Sequence, residues 1–142
     1  YQAMPLMSMY VTTKFAVEGF TESLYYELKP HRVAVALVEP GGHRTKFGAN
    51  ITWAARAGEK NSPYADQTQG YKDMLTRKLD SDAAPGYNVV KAILRLVDGN
   101  RMPLRTQVGL DAVGVRILRA ILPPFIFFPL SGFLIQIGLR RR

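Results

Sequence analysis

The sequence contains no cysteine, which excludes disulfides, thiolate nucleophiles and cysteine metal ligands. Only His31 and His43 remain as imidazole donors, too few with no thiolate beside them to suggest a zinc site. Blocks of one charge are also scarce. Nineteen Lys and Arg against eleven Asp and Glu give a net charge of +8, yet the basic residues are dispersed apart from Arg140, Arg141 and Arg142. Recognition-helix, zinc-finger and aromatic RNA-binding signatures are missing, so the charge does not point to nucleic acid. A basic edge facing anionic lipid or a phosphorylated small molecule accounts for it as well. No basic segment followed by a short apolar one opens the chain, and the first residue is Tyr1 rather than Met, so the chain is expected to begin inside a larger protein. Internal repeats and low-complexity segments are absent. What is present is ordinary globular composition, 47% hydrophobic and 21% charged, over 142 residues, a length suited to one domain.

From Tyr10 to Lys29 there is no proline, and Val17, Phe20, Leu24 and Leu28 recur at helical spacing, so a helix is predicted up to Pro30. Six apolar residues follow from Val33 to Val38, too few for a separate helix and rich in β-branched side chains. They predict a strand buried on both faces, as in parallel sheets covered by helices. Residues 46–84 lack a clear period and mix Gly, Asn, Pro and aromatics, which suggests a lid over a site, with a short helix within Tyr71 to Leu79. A further helix is predicted from Pro85 to Val97 with Val89, Ile93 and Leu96 on one face, then a return segment to residue 109. Another is predicted from Leu110 to Leu122. The apolar tail (110–142) ends with 19 uncharged residues, Ile121 to Leu139, before three arginines. That is close to the roughly 20 residues needed to span a bilayer core, but Pro123, Pro124 and Pro129 should break a continuous span. Attachment to a membrane surface through 121–142 and an apolar cover for a groove or subunit interface are both open.

The spacing Tyr-x-x-x-Lys occurs three times, as Tyr10/Lys14, Tyr25/Lys29 and Tyr87/Lys91. With seven tyrosines and seven lysines, chance supplies about one third of a match, so the pattern alone says little. Physically it places an ammonium on the same helix face as a phenol. A free phenol titrates near about 10, and a nearby cation favours the phenolate, which suits proton exchange with an alcohol or ketone oxygen. Topology separates the copies. In a βαβ unit a helix begins at the sheet edge where ligands bind, and Tyr10 and Lys14 lie in its first turns. Tyr25 and Lys29 lie about 22 Å further along. The strand after the helix returns Pro40, Gly41 and Gly42 to the first edge, where glycine lets backbone approach a ligand. Tyr87 and Lys91 have no comparable turn after them and read as an exposed pair.

The stretch YVTTKFAVEGFTESLYYELKPHRVAVALVEPGGHRT, Tyr10 to Thr45, resembles the C-terminal half of a classical short-chain dehydrogenase/reductase. The resemblance rests on Tyr-x-x-x-Lys, the small Ala16 and Gly19, the Glu-Leu near the helix end, the strand, and Pro-Gly-x-x-x-Thr in that order. It implies an α/β fold, the C-terminal half of a doubly wound Rossmann-like parallel sheet with a helical substrate region and an apolar C-terminal tail. It also implies NAD- or NADP-dependent hydride transfer between an alcohol and a ketone, in a homo-oligomer at full length, cytoplasmic or membrane-associated. Tyr10 is then the general acid/base, and Lys14 favours its phenolate and holds the nicotinamide ribose. Pro40, Gly41, Gly42, His43 and Thr45 hold the nicotinamide and its neighbouring phosphate, His43 through its backbone. No metal is implied. The aromatic lid and the tail point to an apolar small-molecule substrate such as a steroid, retinoid or long-chain alcohol. The Gly-rich phosphate turn of the family does not occur here, and its Ser, about 13 residues before the Tyr, would precede Tyr1. Ser8 is too close to serve. The expectation is a fragment that on its own neither binds dinucleotide firmly nor catalyses, and the alternative is a non-catalytic membrane-associated or oligomerisation module on the same fold. Asn50-Ile51-Thr52 matches a glycosylation sequon, read as incidental.

Overall fold

The computed structural model describes residues 2–47, 50–80 and 84–140, so positions 48–49 and 81–83 of the predicted lid, and Arg141 and Arg142, lie outside the described residues. The chain forms two compact units. The first comprises Tyr1–Gly41 with Gly86–Arg116, and the second Gly42–Pro85 with Ile117–Arg142.

In the first unit α1 spans Ser8–Leu28. Its serines and threonines do not compete with the helix, because they fold back onto carbonyls of the preceding turn. Thr12 donates to Ser8 O at 2.9 Å and Thr21 to Val17 O at 2.8 Å. Pro30 has no N–H to continue the ladder, and the chain tightens into one 3-10 turn, Lys29–His31. Arg32 then adopts the left-handed conformation, φ 57°, and its N–H donates to Lys29 O at 3.1 Å.

The strand predicted from Val33 to Val38 is displaced. β1 is Leu37–Pro40, and it pairs in parallel with β2, Arg105–Val108, with Leu37 opposite Arg105 and Pro40 opposite Val108. Two facts explain the shift. The Val33 N–H is still closing the helix end on Leu28 O, at 3.3 Å, and pairing begins only where Leu37 N–H reaches Leu104 O at 2.7 Å. Val33 is 51% exposed and β1 is half-buried rather than buried on both faces, because among the described residues it has one neighbouring strand. The parallel pairing matches the α/β, Rossmann-like expectation.

Between the strands in sequence lies α3, Tyr87–Asp98, which packs on both of them. Leu96 on α3 and Val108 on β2 are buried. Ile93, predicted on the buried face, is 44% exposed; Val89, Ala92 and Leu96 face inward instead. α4, Leu110–Ile121, follows β2.

The second unit contains α2, Ala65–Asp80, and α5, Pro124–Arg140, packed on each other. α2 is longer than the short helix predicted, because its first turns carry polar residues that leave no apolar period to read. Tyr71, Met74 and Phe127 are its buried apolar side chains, with Thr68 and His43. Gly70 lies 3.0 Å, measured from an ideal Cβ, from Leu139 O, and Arg77 donates to Gly138 O at 3.2 Å. Trp53 meets Tyr71 edge to face at 6.1 Å, with the Lys72 ammonium 5.1 Å above the indole. The expected break falls at Pro123 and Pro124, which separate α4, ending at Ile121, from α5, whereas Pro129 does not interrupt α5. Pro124 sits in the first turn, where no N–H is needed, and Pro129 removes one interior bond. Among the described residues no helix is long and apolar enough to cross a membrane.

Candidate active site

The three Tyr-Lys pairs have the same local geometry. The ammonium lies 5.3 Å from the ring centroid for Lys14 and Tyr10, 5.6 Å for Lys29 and Tyr25, and 5.3 Å for Lys91 and Tyr87. Four-residue spacing on a helix dictates this contact, so it carries no functional information. What differs is the surrounding surface. Tyr10 and Lys14 together line a cleft of about 400 Å³ with Gln2, Val11, Phe15, Glu18, Gly19, Glu22 and Arg105. A second cavity, about 620 Å³, is lined by Lys91 but not by Tyr87. Tyr25 and Lys29 line neither.

One face of α1 runs from Tyr10 through Lys14 and Glu18 to Glu22 in four-residue steps. Its chemical end, the phenol and the ammonium, lies in the first two turns. Its acidic end is held by Arg105 of β2, which donates to Glu18 and, at 2.6 Å, to Glu22. The same guanidinium donates to Glu39 of β1 at 2.7 Å. The arginine and Glu39 are 18% and 13% exposed, so these are largely desolvated, charge-assisted bonds. Gln107, opposite Glu39 in the register, donates to the same carboxylate. This face of α1 is thereby tied to both strands through one side chain.

Pro40 and Gly41 end β1 and are not among the residues lining the Tyr10 cleft. The Gly41 N–H donates to Val108 O at 2.9 Å. The carboxylate of the exposed Asp111 occupies the space that a Cβ at Gly41 would fill, so a side chain rather than a ligand makes the close approach to this glycine. Gly42, His43 and Thr45 belong to the second unit. There His43 is 6% exposed and forms an isolated parallel bridge with Ala84, flanked by Arg44 N–H to Ala84 O at 2.8 Å. The Thr45 hydroxyl accepts from Phe47 N–H at 3.2 Å. Among the described residues no group of three His, Cys, Asp or Glu is placed to hold a metal ion.

Sequence reasoning missed Arg105, Glu18, Glu22 and Asp111. The first three became visible only with the strand pairing, although the four-residue steps from Tyr10 mark the two glutamates. Asp111 opens α4, where an acidic side chain is common for helix-end reasons alone.

Comparison with known proteins is consistent with this layout. The family model described as short chain dehydrogenase matches residues 1–55. A 3-ketodihydrosphingosine reductase from Bacteroides thetaiotaomicron is 32% identical over 106 residues, covering 75% of this chain and 39% of the relative. Human retinol dehydrogenase 8 is 29% identical over 113 residues, 77% of this chain and 36% of the relative. The uncharacterized oxidoreductase YusZ of Bacillus subtilis is 30% identical over 125 residues, 84% of this chain and 43% of the relative. The chain thus spans about two fifths of the length of these curated relatives.

Proposed function

Because this chain belongs to the short-chain dehydrogenase family, we propose that it supplies the catalytic-helix and substrate-binding portion of an NAD(P)-dependent oxidoreductase acting between an alcohol and a ketone. The observation that carries the proposal is that Tyr10 and Lys14 together line a cleft of ligand size along α1.

In this reading the Tyr10 hydroxyl gives a proton to the substrate oxygen during reduction and takes it back during oxidation. The Lys14 ammonium, over the Tyr10 ring, stabilises the phenolate left after proton donation and offers donors to ribose hydroxyls. A bound nicotinamide cofactor supplies the hydride. The residues present suit such a group at the Tyr10 end, with a cation beside the phenol and an open cleft, whereas in the Pro40-Gly41 segment the Asp111 carboxylate fills the space beside the Gly41 backbone. Gly42, His43 and Thr45 extend that segment as further cofactor contacts, through backbone and hydroxyl. The region 46–84 acts in this reading as the substrate lid, and an apolar substrate suits its aromatic content. Two relatives named for a 3-keto compound and for retinol support a ketone or alcohol on an apolar skeleton.

The test joins the chain to a family dinucleotide-binding half ahead of Tyr1 and measures oxidation of long-chain alcohols and retinol with NAD and with NADP. Tyr10→Phe should lower the rate at least about 100-fold, the scale of a lost general acid/base. Tyr25→Phe and Tyr87→Phe should leave it within twofold. Equal rates for Tyr10→Phe and the parent would overturn the assignment.

A further inference from the structure

The second cavity of the first unit takes no part in the proposed chemistry. It measures about 620 Å³ and is lined by α3, by β2 and by the segment between them. Its lining includes apolar Ala92, Leu96 and Val108, the last two buried. Three exposed cations complete the wall: Lys91 and Arg95 from α3, and Arg101 from the segment that leads to β2. No Asp or Glu is among the lining residues. Elsewhere in this unit a lining guanidinium is neutralised, since Arg105 holds three carboxylates. Lys91, Arg95 and Arg101 form no ion pair with any described residue. The Lys91 ammonium rests 5.3 Å from the Tyr87 ring centroid, a contact that leaves its charge uncancelled. Arg95 lies in the last turn of α3, where the helix dipole favours a cation. The dipole does not account for Lys91, one turn earlier on the same face, or for Arg101 beyond the helix. Like charges four residues apart on a helix cost stability, so the arrangement opposes folding and favours an anion.

We propose that this cavity binds a phosphorylated small molecule, its phosphoryl group held by Lys91, Arg95 and Arg101 and its organic part set against Ala92, Leu96 and Val108. The volume lies within the range of about 300–1,000 Å³ usual for small-molecule sites. A phosphate fits the charge better than a carboxylate, because it brings up to two negative charges and three oxygens that accept from separate donors. Guanidinium forks suit that geometry, and the ammonium adds a point charge. The concave, partly apolar lining selects a small soluble ester over a lipid headgroup, since a planar bilayer face would meet the cations and leave Leu96 and Val108, each 8% exposed, uncovered. The third Tyr-x-x-x-Lys copy thereby acquires a role through its lysine alone. Tyr10, Lys14 and the segment from Pro40 to Thr45 line no part of this cavity, so phosphate binding and oxidoreduction can fail separately.

The experiment is calorimetric titration of the 142-residue chain with phenyl phosphate and with benzoate, at constant ionic strength and about pH 8, where a phosphate ester is a dianion. Phenyl phosphate should bind at least about tenfold more tightly than benzoate, and should raise the thermal midpoint of the chain. Arg95→Gln/Arg101→Gln should weaken phenyl phosphate at least about tenfold while leaving the midpoint of the free chain equal or higher, a combination that purely structural arginines would not give. Should that variant lose helix by circular dichroism, Lys91→Gln decides in its place, with a loss of at least about threefold. Lys14→Gln should leave phenyl phosphate binding within about twofold, which separates this cavity from the Tyr10 cleft. Equal binding of phenyl phosphate and benzoate, or no binding of either, would overturn the proposal. So would undiminished binding by the deciding variant, or binding to phosphatidic acid vesicles through these cations without binding of phenyl phosphate. Loss of the site once the chain is joined to a dinucleotide-binding half would overturn it as well.

Discussion

Replacing Arg105 by methionine isolates the interaction that joins α1 to the sheet. The side chain is close in length and apolar, so the substitution removes charge with little change in packing. It strands Glu39, 13% exposed, and Glu18, 28% exposed, without the guanidinium that offsets their desolvation. Breaking a fully buried pair costs about 3–5 kcal/mol. Residual exposure admits water and screening, and Glu22, 50% exposed, contributes little, so the expected loss is about 2 kcal/mol. With a urea slope of about 1.5 kcal/mol per molar, the midpoint should fall by about 1.3 M. The assay is urea unfolding followed by far-ultraviolet circular dichroism. Adding Glu39→Leu to Arg105→Met should recover at least half the loss, because most of the cost is the stranded carboxylate rather than the lost attraction. A midpoint shift below about 0.3 M for Arg105→Met would show that these ion pairs do not hold α1 to the strands.

Gly41→Ala should cost less than about 1 kcal/mol, since the carboxylate that the new methyl meets is the end of the exposed Asp111 side chain, which can rotate away. Asp111→Ala in the same chain should relieve part of that cost, a coupling that a double-mutant cycle in urea measures. Gly19 gives the opposite sign. An ideal Cβ there meets nothing within 4 Å, so Gly19→Ala should stabilise α1 by about 0.5–1 kcal/mol, read as a rise in thermal midpoint. A fall would mean that the space beside Gly19 in the cleft is filled in solution.

Several features were legible without coordinates because they depend on local physics. The α1 helix, its stop at Pro30, α3 and α4 follow from apolar spacing and from proline and glycine at element ends. The contact between each Lys and its Tyr follows from four-residue spacing, which is also why that contact could not say which pair matters. The extent of α2 was hidden because packing on α5, not an apolar period, stabilises its first turns. Continuity of α5 through Pro129 was hidden for a related reason: one lost backbone bond is small beside the burial of Phe127.

The sequence by itself determined the helix bearing Tyr10 and Lys14, the Pro-Gly turn that follows it, and the one-signed arginines bracketing an apolar tail. Those depend on neighbours in the chain. Only the tertiary structure decided where β1 begins, that the Asp111 carboxylate comes against Gly41, and that Arg105 gathers Glu18, Glu22 and Glu39 from two other elements. Each depends on the parallel register between residues more than 60 positions apart, and no local preference encodes that register.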